Sequence, residues 1–427
     1  MNYLATFNTQ LTTYGSAIDA EIAGGNAATF YSTSYYIDGL LSAVEAMLSD
    51  KPPPGIAYYV DGADVSSTSS GGPIALMNTV VGYIDAMLGR PWDPLAGNDL
   101  LPEQLYTFQG MAPIARAAAI ILTNKYLRLH FADKARKYVD FVDRFVIKLW
   151  FDKDVGVYND LAYPPSGSQP HLIGVDTPPV IPDFDNPPPP DFTVKWPDHL
   201  AGCIPWLDKE NGGWGRDSYT ILNDKCTMLG SIATSLYAAT GSPVYLEIAR
   251  RVGEDFKTRL STNGTGWVWD TDIDIAVWLY EDWVGKNWTY KHPMHDTSHA
   301  NREPRMMVMM YEAGIVFTLA DVVKMAHTLT DVLWNGSTSV PLFTNYLDGD
   351  NGSAGALGSA GDSPGGIGNI YPGWALLGRY SAKACTVIEA TLTAVLNGQS
   401  VGQNYTSYGK IALSGHLLRG LSAPRIM

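Results

Sequence analysis

The chain has 427 residues, 46% of them hydrophobic and 17% charged, enough to bury a large core in one big domain or in two to three smaller ones. Its formal net charge of -14 repels nucleic acid and anionic membranes, so neither is expected as a partner. Cys203, Cys226 and Cys385 are odd in number and scattered, which specifies neither a disulfide framework nor a C-x-x-C metal site.

Met1 to Gly25 is polar, without a basic start or an apolar run, so no secretory signal is visible and residues 1–30 read as an N-terminal extension. Localisation stays open among secreted, periplasmic and virion-associated. No stretch reaches the ~18 apolar residues of a membrane span; the most apolar, Met111 to Leu122, is too short and carries Arg116. Apolar periodicity then predicts helices over 33–49, 75–89, 105–124, 132–150, 224–239, 243–260, 305–334 with a break near Gly314, 373–396 and 409–420. Two pairs look alike: a Gly/Ala-rich helix (Gln109 to Leu122, Thr227 to Gly241) followed by an amphipathic one (Ala132 to Trp150, Pro243 to Leu260). Repeated helical hairpins are the mark of a helical array. Between them run long connections over 160–200, with Pro187 to Pro190, and over 347–372. Gly266 to Tyr280 alternates like one or two strands beside the helices.

Chemistry concentrates in Tyr290 to Arg305, which holds His292, His295 and His299 of only eight histidines, with Tyr290, Asp296, Arg302 and Arg305. A phenol, three imidazoles, a carboxylate and two guanidiniums can move protons beside an anionic substrate. Pro304 fits only a first helical turn, so a helix should begin near Glu303, leaving His292 to Arg302 as a loop or turn whose side chains converge on a cleft. If 295–302 is helical instead, His295, His299 and Arg302 share a face.

The phrases Leu236 to Arg250 and Ala132 to Val142 resemble the helix joins of α/α-toroid carbohydrate enzymes, and Tyr290 to Arg305 is similar to the active-site stretch of toroid polysaccharide lyases of the alginate and glucuronan lyase kind. The resemblance implies a mainly α fold, an incomplete toroid of six or seven helical hairpins with long loops and a small β element, as a single domain over 1–427. It also implies β-elimination from an acidic, uronate-containing polysaccharide. The family's Asn, His, Arg and Tyr would correspond to Asn223 for carboxylate neutralisation, His295 or His299 as base, Arg302 or Arg305 as electrostatic support and Tyr290 as the phenol, with Tyr371 as second choice. The family's Asn-His dipeptide and its close Arg-to-Tyr spacing are not evident. His292, Arg305, Trp288, Trp214, Tyr371 and Trp374 would contact substrate.

Plainer readings compete. The three histidines with Asp296 would suit a divalent ion, but Pro293 spoils the spacing for a helical zinc site; no cofactor is expected, with room for a structural ion. His and Arg also satisfy helix ends. A toroid glycosidase would need two carboxylates, for which Asp270 or Asp272 with Glu281 is the runner-up. A non-catalytic carbohydrate-binding or viral structural role is the third. Trp206, Trp214, Trp267, Trp269, Trp288 and Trp374 fall in loops or at element ends, where sugar rings stack. No P-loop, dinucleotide fingerprint or G-x-S-x-G elbow is present.

Overall fold

The computed structural model describes residues 3–24, 27–49, 72–89, 104–148, 223–269, 294–351, 368, 370, 372–399 and 407–422, and these are mainly helical with one two-stranded sheet. The loop expected over 160–200 and most of that over 347–372 lie outside the described residues.

The stretch read as an extension forms α1 (Tyr3–Gly24), which buries Phe7, Ile18 and Ile22 on one helical stripe. Its other apolar residues, Tyr3, Leu4, Leu11 and Tyr14, are only partly buried and are scattered among small and polar ones, too irregular a period to read from sequence. α2 (Ala27–Met47) follows, then α3 (Pro73–Leu88) with proline in its first turn, and α4 (Gln104–Thr123). α5 (Lys125–Val142) starts seven residues before its predicted position because Asn124 Oδ1 accepts the N–H groups of Tyr126 and Leu127 and caps it. It runs on into a π-helical turn, Asp143–Lys148.

α6 (Asn223–Thr240) and α7 (Pro243–Arg259) form the second predicted pair, split by Gly241 at φ 69°. A hairpin of β1 (Ser261–Asn263) and β2 (Gly266–Val268) comes next; the alternation predicted beyond Trp269 lies outside the described residues. After a 3-10 turn, His299–Asn301, α8 spans Arg302–Glu312. The predicted break near Gly314 is present, with Gly314 at φ 70°, and Thr318 and Asp321 cap α9 (Leu319–His327) reciprocally. α10 (Pro372–Ala375) and a 3-10 turn, Leu376–Arg379, are separate from α11 (Ala382–Leu396), because Ser381 accepts the N–H of Ala384 and opens a new helix. α12 (Ser407–Gly420) ends the described chain.

The even-numbered helices touch in sequence: α12 against α2, α2 against α4, α4 against α6, α6 against α8, and α8 against α10, whose 3-10 turn meets α12. The odd-numbered ones lie against them: α3 on α2, α5 on α4, α7 on α6, α9 on α8, α11 and α1 on α12. Side-chain pairings give direction. Gln109 meets Ser34 while Arg116 meets Ser42; Arg302 meets Tyr31 while Arg305 meets Asp38; His416 meets Ser42 while Arg419 meets Glu45. Numbers rise together in each case, so α2, α4, α8 and α12 run parallel and bring their N-terminal ends to one side.

Where α12 crosses α2 the backbones nearly touch. A Cβ on Gly39 would lie 2.5 Å from Ala412 Cα, and one on Gly415 would overlap the Gly39 carbonyl. Gly82 of α3 faces open space. Gly39→Val is therefore expected to lower the urea-unfolding free energy by about 2 kcal/mol or more through overpacking against backbone. Gly82→Ala, in an exposed helix interior, should raise it by about 0.5–1 kcal/mol.

Candidate functional site

The segment entering α8 is pinned by its backbone before any side chain acts. His295 N–H donates to Trp269 O (3.1 Å), Thr297 N–H to Asn345 O (2.9 Å), and Leu347 N–H to His295 O (3.1 Å). The Thr297 carbonyl takes the indole N–H of Trp374 at 2.9 Å. Asp296 then closes the turn, its Oδ1 accepting His299 N–H (2.9 Å) and its Oδ2 lying 2.8 Å from His299 Nδ1. α8 starts at Arg302 with Pro304 in its first turn, as its fixed φ requires.

Asp296 is 2% exposed, and burial alone would raise its carboxyl; the imidazoles of His299 and His295 and the hydrogen bonds from His299 outweigh that and hold it at about 2. A fixed carboxylate at Nδ1 keeps the ring hydrogen there and leaves the lone pair on Nε2. The His299 side chain is 48% exposed, so this Nε2 is within reach of solvent and ligand. His295 is only 1% exposed, with Nε2 3.6 Å from the buried Glu303 carboxylate. Of the two proposed bases, His299 is the accessible one.

Arg302 is also 1% exposed. Its Nε donates to Gln109 Oε1 (3.0 Å), Nη1 to His299 O (3.3 Å) and Nη2 to the half-buried Tyr31 hydroxyl (3.2 Å). Gln109 in turn donates to Ser34 Oγ at 3.0 Å. One guanidinium thus joins the turn bearing His299 to a phenol on α2 and an amide on α4. The sequence reading missed Tyr31 and Gln109, although the stripe Ser34, Asp38, Ser42, Glu45 in an otherwise apolar helix marks the same face.

Several expectations need correction. Arg305 is 5% exposed and pairs with Asp38 at 2.9 Å inside the fold, so it does not face a substrate. Trp374 is fully buried, its ring stacked on buried Trp269 at 6.2 Å; both are core residues and not sugar platforms. The Trp267 ring is partly buried and covered by Lys324 Nζ at 3.5 Å. His295 and Arg302, expected to converge on a cleft, are interior because the 294–297 segment is stitched under Trp374 and the 344–347 loop. Asn223 opens α6, but its side chain, like Tyr290, His292, Trp288, Trp214, Trp206, Tyr371, Asp270, Asp272 and Glu281, lies outside the described residues.

Deeper in the fold, Asp38 accepts from Arg116 Nη1 (2.7 Å) and Arg305 Nη2 (2.9 Å) and faces His416 Nε2 at 3.4 Å. Burial opposes its charge, and Arg305 and Arg116 overcome that, holding the carboxyl well below the usual range. Arg116 also pairs with Glu45, and Arg419 with Glu45 (2.8 Å) and Glu312. Among the described residues no group of three or more His, Cys, Asp or Glu side chains is placed to hold a metal, and no helix is long and apolar enough to cross a membrane.

Since the folded Asp296 carboxyl titrates below its ordinary value, its contribution to stability is present above about pH 4 and is lost as pH falls toward 2. Asp296→Asn should cost about 1–3 kcal/mol at neutral pH by urea unfolding, and the gap from wild type should shrink in acid. A gap that stayed constant with pH would contradict the pairing. Beyond the chain itself, no protein-family model matches it and no curated protein is detectably similar.

Proposed function

We propose that this protein cleaves an acidic, uronate-containing polysaccharide of the alginate or glucuronan type by β-elimination, on an α/α toroid of six helical hairpins. The order of helix contacts supports the toroid reading: odd-numbered helices outside, even-numbered ones inside, with α12 returning to α2. The observation that carries the functional reading is the half-exposed His299, oriented by buried Asp296 and joined through Arg302 to the Tyr31 hydroxyl.

In this reading His299 Nε2 removes the proton at C5 of the uronate. The C–H electrons form the C4=C5 double bond, the C4–O bond breaks, and the leaving oxygen takes a proton from a tyrosine. Tyr31 fits that second role, because Arg302 compensates negative charge on its oxygen after the proton has left. Tyr290 is the other phenol and Asn223 the group for the carboxylate. The aligned N-terminal ends of α2, α4 and α8 add positive potential on the side where His299 lies, which favours an anion despite the net charge of -14.

The test is incubation with alginate, glucuronan and neutral glycans, following the ultraviolet absorbance of the unsaturated uronate together with reducing ends. Both should rise on a uronan. Reducing ends alone would indicate a hydrolase, and binding without turnover a carbohydrate-binding module. His299→Ala and Tyr31→Phe should each cut turnover by on the order of a hundredfold, the usual contribution of a general base or acid, with substrate binding retained. Full activity in His299→Ala would remove the dyad from the reaction.

A further inference from the structure

The contact between the first and last parallel helices, α2 and α12, is built of small residues, Gly39 against Ala412 and Gly415, with one polar pair set into it. Ser42 Oγ lies 2.6 Å from His416 Nδ1, both fully buried. The same oxygen accepts Arg116 Nη2 at 2.9 Å. The Asp38 carboxylate on the far side of the ring draws the ring hydrogen to Nε2, which leaves Nδ1 as the acceptor of the Ser42 hydroxyl. Nε2 then faces Asp38 Oδ2 at 3.4 Å. A second proton can enter only at Nδ1, where it turns the Ser42 hydroxyl from donor to acceptor and leaves a cation beside three guanidiniums in a buried site.

The charges facing the imidazole are Asp38 from α2, Arg116 from α4, Arg305 from α8 and Arg419 from its own helix. Glu45 stands one turn on, paired with Arg419 at 2.8 Å. Among the described residues, α1, α11 and the 3-10 turn after α10 bring no ionised group within ion-pair distance of the ring. Burial opposes protonation first; Asp38 favours it and the three guanidiniums oppose it, so the ring stays neutral down to about 3.

We propose that the Ser42–His416 pair is a pH-sensitive latch: neutral His416 holds α12 to α2, and acidification releases that seam. Asp38, loosened with it, is also the anion of Arg305, three residues along α8 from Arg302, so the latch reaches the turn that carries His299. The open form binds a proton at the ordinary histidine value and the closed form does not. Opening is therefore favoured as pH falls below about 6.5, with no further gain below about 3.

Amide hydrogen exchange of α12 in the full chain, corrected for intrinsic rates, tests this between about pH 6.5 and about 5.5, above the carboxylate range. The opening constant should rise roughly fivefold over that interval in wild type and stay flat in His416→Gln. A flat wild type, an equal slope in His416→Gln, or the same slope on the amides of α5 would overturn the latch. Should His416→Gln fail to fold, the imidazole nitrogen resonances of the wild type decide. A neutral Nε2–H ring throughout this range is expected, and an Nδ1–H ring, or an imidazolium formed near pH 6.5 with the seam closed, would refute the proposal.

Discussion

The architecture depends on one buried carboxylate. Asp38 collects Arg116 of α4, Arg305 of α8 and the His416 ring of α12 onto α2, so four helices share a single negative charge. A carboxylate taken out of water is costly unless its hydrogen bonds are met, and here two guanidiniums meet them. The same logic extends along the axis. Arg116, Arg305, Arg379 and Arg419 pair with Asp38, Glu45 and Glu312, so these buried charges are met by opposite ones inside the bundle. Sliding any of these helices by one turn would separate charges from partners, so the polar axis sets the register that the apolar contacts alone leave loose.

Parallel register has a chemical outcome. Tyr31, Gln109 and Arg302 each sit in the first or second turn of their helices, so the ends that carry positive partial charge are also the ends that carry the His299 turn. The interior arginines hold the framework, while His299 alone of the described histidines in that segment reaches the surface. Structure and chemistry are thereby divided between neighbouring residues of one short stretch, with Asp296 serving both.

This division explains what the sequence disclosed. Helices with broad apolar stripes and Gly/Ala faces, such as α4 and α6, were legible to within a residue or two, and Pro304 marked the start of α8 correctly. α1 was not, because its apolar residues are scattered among small and polar ones, and the start of α5 depended on a single asparagine cap. The density of His and Arg in 290–305 pointed to the right segment, but composition does not say which side chain turns inward. His295 and Trp374 turn in against Trp269 and the 344–347 loop, and Arg305 turns in to Asp38 on α2; those distant pairings leave no local trace. Tyr31 and Gln109 were hidden for the same reason: they reach Arg302 from 271 and 193 residues away.

The contact of Ser42 with His416 spans 374 residues. During synthesis α2 emerges with Asp38, Ser42 and Glu45 on its surface, and its partner on α12 follows only 374 residues later. Chain-closure entropy grows slowly with length, so the final contact is thermodynamically affordable. It is kinetically late, since non-local contacts form after local ones. The polar stripe suits that wait: until α12 arrives, its carboxylates are hydrated, where an apolar stripe on the same face would offer a sticky surface to other nascent chains.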